Sequence, residues 1–149
     1  MMTEERPLDP EYKFYLPPIG RVVTAGADEH EVLLPQLPLP MELTADNEPS
    51  DRQVGVSLYN YLRRFPDCPR CEDYARLLQE AFPYYLTDIG SQIIMLEAKD
   101  VDSPYIRRKI SYLKILVLLN PENPQLLQKL GIAYFELGMI YVELIHVRR

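Results

Sequence analysis

At 149 residues and 47% hydrophobic, the chain can bury one compact domain with an appendage, but not two large domains. Its net charge of −6 is unevenly spread: residues 1–51 hold eleven acids against Arg6, Lys13 and Arg21, and the remainder is nearly balanced. That distribution excludes the strong basic field that duplex nucleic acid requires, and no apolar run approaches the ~18 residues of a membrane span.

The N-terminal stretch MMTEERPLDPEYKFY has no basic region leading into an apolar core, so it does not read as a secretory signal. A reducing, cytoplasmic setting is the expectation. Eight of the fourteen prolines precede residue 50, and Pro17-Pro18 and PQLPLP at 35–40 favour extended or polyproline II backbone. Between them, RVVTAGADEHEVLL offers two β-prone runs for a short hairpin. Tyr12, Phe14, Tyr15, Leu16, Ile19, Leu33, Leu34, Leu37 and Leu39 make this acidic arm too apolar for a solvated tail. It is expected to lie across an apolar surface, with Arg63, Arg64, Arg107, Arg108 and Lys109 as candidate partners for its acids. The division read from composition is an extended arm over 1–49 and a helical domain over 50–149.

From residue 50 the punctuation is helical. Ser50 with Gln53 has the capping-box spacing, and Ser103-Pro104 and Asn123-Pro124 each place a capping side chain before a proline at the first helical position. Ile106, Ile110, Leu113 and Val117 recur at steps of four and three, as a buried helix face does. Pro83 predicts a break between two helices rather than a kink in one. The sequence predicts six helices, near 51–64, 70–81, 84–99, 104–119, 124–137 and 139–148.

The segment NPENPQLLQKLGIAYFELGMIY, residues 120–141, resembles a tetratricopeptide repeat. Leu127 stands at the first large position, Leu130-Gly131 at the Leu-Gly pair, Tyr134 at the aromatic and Gly138 at the turn glycine. An echo exists at another spacing, where RRFPDCPRC at 63–71 resembles LLNPENPQL at 118–126. The resemblance implies an all-α fold of stacked antiparallel helical hairpins behind the extended arm. It implies that Gly131 admits a close helix neighbour and that Gly138 reverses the chain. A curved interaction surface for a protein or peptide follows from such an array.

Chemistry-bearing motifs are few. Cys68-Pro-Arg-Cys71 at a helix start could serve dithiol exchange or supply two zinc ligands. No second such pair accompanies it, and His30 and His146 are isolated. The simpler reading is two small residues framing a turn with Pro69. Asp28-Glu29, Glu72-Asp73 and Asp100 with Asp102 lie beside turns or helix starts, where acids complement the helix dipole. No nucleophile elbow, phosphate-binding Gly-rich loop or EF-hand loop occurs. The sequence therefore predicts a non-catalytic interaction module or scaffold without a cofactor. The alternatives are a small chaperone holding an extended segment and a zinc or dithiol protein using Cys68 and Cys71. GMIYVELIHVRR has too few polar residues for a solvated last helix. Ile140, Tyr141 and Leu144 are thus candidate contacts, with a two-fold homodimer through this helix as the expected use.

Overall fold

The first ordered backbone is a strand, β1 (Tyr12–Tyr15), which pairs antiparallel with β4 (Leu39–Glu42). Nested between them is a second antiparallel ribbon of β2 (Val22–Ala25) and β3 (His30–Leu33). Among the described residues five helices follow: α1 (Asp51–Arg64), α2 (Cys71–Ala81), α3 (Tyr84–Glu97), α4 (Ser103–Leu119) and α5 (Pro124–Val147). This computed structural model describes residues 11–25, 30–98 and 103–147, with side chains as far as residue 140. The fold is mostly helical but not all-α, because the arm forms two small two-stranded sheets. Two compact units make up the chain, Met1–Leu86 and Thr87–Arg149, and the arm shares the first with α1 and α2.

Hydrogen-bond alternation explains how a proline fits into β4. The Leu43 amide donates to the Glu11 carbonyl, so Lys13–Met41 and Tyr15–Leu39 are the bonded pairs of the ladder, and Pro40 opposite Phe14 needs no ladder donor. Glu42 sits in the same outward register. Its amide donates to the hydroxyl of buried Ser57 on α1, 3.1 Å away, which ties the ribbon to the helix.

Aromatic rings fasten the arm to this unit. Tyr61 of α1 meets Tyr12 and Phe14 in T-shaped pairs at 5.2 and 5.9 Å, and Phe65 and Tyr74 at 5.0 and 6.1 Å. Such pairs contribute about 0.5–1.5 kcal/mol each beyond their buried area. Tyr74 of α2 donates its hydroxyl to the Pro38 carbonyl at 2.7 Å, and Lys13 reaches the Ala45 carbonyl at 2.6 Å. Arg21 bonds the Tyr15 hydroxyl, the Pro49 carbonyl and the Asp51 carboxylate. Partial burial works against its charged form, but the bonds to Tyr15 and then Asp51 outweigh that and leave its pKa above the ordinary value. Of the expected arm-to-base attractions, Glu11 pairs with Arg64 at 2.8 Å.

Local sequence rules hold at the helix ends. Ser50 and Gln53 close both bonds of the capping box at 3.2 and 3.0 Å. Asn123 accepts from the amides of Gln125 and Leu126, and Pro124 opens α5. Pro83 does break the chain between α2 and α3: the Phe82 amide ends α2 on the Leu78 carbonyl, and Leu86 starts anew on Pro83.

The second unit contains the greater part of α3, with α4 and α5. Lys109 pairs with Glu136, and Lys114 lies over the ring of Tyr134. Partner numbers fall along α5 as they rise along α4, so the two helices form an antiparallel hairpin turned by residues 120–123. Ile89, Ile93 and Leu96 of α3, Ile106, Ile110, Tyr112, Leu113 and Ile115 of α4, and Ala133 of α5 are buried.

One predicted boundary is absent. The helices expected at 124–137 and 139–148 are a single helix, α5, and Gly138 lies inside it with helical neighbours on both sides. A glycine within a helix costs only about 1 kcal/mol against alanine, and the apolar flanks of Gly138 are regular helix formers. Nor does Gly131 admit a close neighbour, since none of the described residues lies within 4 Å of where its Cβ would stand. The close approach occurs at Gly55, against the ring of Phe82.

Candidate interaction surfaces

Cys68 and Cys71 are joined in a disulfide, with Cα atoms 5.1 Å apart. The sequence reading framed the turn with two unbonded residues. The turn through Pro69 and Arg70 instead brings the two backbones within the 4.4–6.8 Å that a bridge requires. Both residues are buried, and with the sulfurs bonded to each other neither is a thiolate able to ligate zinc. Among the described residues no cluster of three or more His, Cys, Asp or Glu could hold a metal ion.

The basic run divides by the geometry of α4. Lys109 turns inward to Glu136 at 3.6 Å and is mostly buried, so it belongs to the hairpin rather than to an outer face. Arg107 donates to the Ser103 hydroxyl at 3.3 Å, and Arg107 and Arg108 are both exposed. Ile140 is half-buried. Tyr141 and Leu144 lie on α5, but their side chains fall outside the described residues.

Two faces of α5 have opposite characters. Leu126, Leu130, Ala133, Leu137 and Ile140 recur at helical spacing and are buried or half-buried, which makes them the packing side. Leu127, Tyr134, Phe135 and Met139 are exposed, Phe135 at 69%, and Gly131 and Gly138 lie among them with open space above. The motif residues that carry the repeat resemblance therefore occupy one uninterrupted helix, and three of them, Leu127, Gly131 and Tyr134, point out of the fold with Gly138.

A second surface lies in the first unit and was not anticipated from the sequence. The Leu34 amide donates to the Arg21 carbonyl at 2.9 Å, which fixes the phase of the β2–β3 ladder. Val23–Val32 and Ala25–His30 are then its bonded pairs, while the main-chain groups of Val22, Thr24, Glu31 and Leu33 turn outward. On the β2 side the outward Thr24 amide is taken up by the Asp51 carboxylate at 3.0 Å. On the β3 side no main-chain partner of Glu31 or Leu33 beyond β2 exists among the described residues.

Beside that open edge runs a groove of about 180 Å³, between Val32, Leu33, Pro35 and Leu37 on one bank and Asp73, Arg76, Leu77 and Glu80 of α2 on the other. Arg76 is engaged by Glu72 at 2.5 Å, so the rim is acidic. Leu33 is 62% exposed at its edge. In a larger recess of about 360 Å³ between β4 and α1, three of the polar side chains are occupied internally: Ser50 and Gln53 by the cap, Ser57 by the Glu42 amide.

No helix among the described residues is long and apolar enough to cross a membrane. In comparisons with known proteins no family model matches the chain, and neither a curated protein nor a solved structure matches it.

Proposed function

We propose that this protein is a non-catalytic interaction module that works as a dimer, built through the outer face of α5. The observation that carries the reading is the row Leu127, Gly131, Tyr134, Phe135 and Gly138, which is exposed, uncharged and set at one-turn intervals. Burying exposed apolar surface is favourable by about 25 cal/mol per Å², and a partner helix is the shape such a row fits.

Self-complementarity favours a second copy as that partner. With an antiparallel two-fold axis between Tyr134 and Phe135, Gly131 of one copy faces Gly138 of the other, and the two aromatic positions face each other. Glycines opposite one another let two backbones approach closely, and the row itself carries no charged residue, with Lys114 over the Tyr134 ring at its border. The helical-repeat likeness enters this reading as the source of the surface rather than of a groove.

Sedimentation of the full chain tests it. A dimer that Phe135→Glu and Leu127→Glu each dissociate, with helix content retained, is the expected result. A wild-type chain that stays monomeric at high concentration ends the self-association reading.

A further inference from the structure

We propose that the open edge of β3 takes up an extended, basic and apolar segment of another protein as an added strand. The inference rests on the first unit alone and is independent of the α5 contact. Strand addition requires three things: outward main-chain donors and acceptors, a neighbouring wall that receives alternate side chains, and some charge preference.

Each is present. Glu31 and Leu33 turn their amides and carbonyls away from β2, and the equivalent groups on the β2 side are occupied at Thr24 by Asp51. An edge left open in this way is a pairing template unless something blunts it. Val23, Ala25 and Leu34 define the buried side of the ribbon, which α2 covers. A strand laid beside β3 would point every second side chain toward that side, into the groove walled by Val32, Leu37 and Leu77. Its other side chains would face solvent beside exposed Glu31.

Charge selects the occupant. Asp73 and Glu80 stand about two turns apart on the α2 bank, and Arg76 between them is already neutralised by Glu72. Lysines or arginines flanking apolar residues therefore suit the rim, and an acidic segment does not. The chain's own first ten residues, MMTEERPLDP, carry three acids and one base, so they match this preference poorly.

The test uses the full chain and the capped seven-residue peptide Lys-Thr-Val-Thr-Val-Thr-Lys, whose valines and flanking lysines share one face, with glutamates in place of the lysines as control. Titration by NMR is expected to shift the Glu31 and Leu33 amides with the lysine peptide and not with its acidic counterpart. Leu33→Pro removes the outward donor without touching a β2–β3 bond, and should weaken binding at least about ten-fold. Asp73→Lys with Glu80→Lys should reverse the preference between the two peptides, and it decides the matter even if the proline disturbs the strand. The proposal is overturned if the lysine peptide binds elsewhere or not at all at millimolar concentration, or if the charge reversal leaves the preference unchanged. A dimer dissolved by Leu33→Pro, with no peptide bound, would assign the edge to a second copy and overturn it equally.

Discussion

Gly55 on α1 lies against the ring of Phe82: a Cβ at residue 55 would stand 2.7 Å from Phe82 Cδ1 and 2.9 Å from Cε1. Phe82 ends α2 and is itself buried, so this contact sets how closely α1 and α2 approach. Alanine is the better helix former by about 1 kcal/mol, but overpacking a filled site costs about 1–3 kcal/mol. Gly55→Ala should therefore lower stability by about 1 kcal/mol in denaturant titration, and Phe82→Leu in the same chain should recover part of it. A more stable single variant would show that the ring yields freely.

Gly138 provides the opposite case. Lying inside α5 with none of the described residues near its missing side chain, it should accept alanine with a gain of about 0.5–1 kcal/mol at concentrations too low for association. The same change should weaken the dimer, because it fills the place where a second backbone approaches. A loss of stability on Gly138→Ala would mean that the chain turns at this residue.

The arm is integral to the first unit. Deleting residues 1–45 removes the rings on Tyr61, the bond from Tyr74 to Pro38 and the Glu42 amide on Ser57. The shortened chain should aggregate or lose cooperative unfolding. If it remains as soluble and stable as the full chain, the arm contributes nothing to the core. Arg21→Ala, a milder change, should cost about 1–2 kcal/mol and speed amide exchange in β2, because three acceptors lose one donor group.

Lys109 and Glu136 link α4 to α5 from partly buried positions. Removing only the base leaves a carboxylate in apolar surroundings, so Lys109→Met should destabilise the second unit by about 1–2 kcal/mol. Adding Glu136→Leu should restore most of the loss. Calorimetry on the four proteins of this cycle measures the coupling, and additivity would show that the pair does not interact.

The Cys68–Cys71 bridge closes a very short loop, for which chain entropy allows at most about 2 kcal/mol. Cys68→Ser with Cys71→Ser should fold, with a modest fall in melting temperature and unchanged self-association. A change in dimer affinity on reduction would instead make the bridge part of the interaction mechanism.

Local chemistry settled much of the backbone from sequence alone. Ser50 with Gln53, Asn123 with Pro124, and the break at Pro83 depend on groups within a few residues of each other, so their spacing predicted the observed ends. The β2–β3 hairpin and the apolar character of the arm were legible too, since proline and β-branched residues restrict the chain wherever it lies, but the pairing of β1 with β4 joins residues far apart in sequence and was not. A turn at Gly138 was not determined in this way. Glycine permits a reversal without enforcing one, and the helical preference of its neighbours together with packing on α4 decided for a continuous helix.

Relationships between distant residues belonged to the tertiary structure. No spacing rule identifies Gly55 rather than Gly131 as the site of close approach, because that depends on where Phe82 is brought 27 positions later. Lys109 was drawn outward by its basic neighbours in the sequence and inward by Glu136 in the fold. The open edge of β3 could not be read at all from composition. It exists because the ladder phase set at Arg21 and Leu34 turns the Glu31 and Leu33 groups away from β2, beside a bank of α2. Sequence fixes which groups can bond, and only the folded chain decides which of them are left facing out.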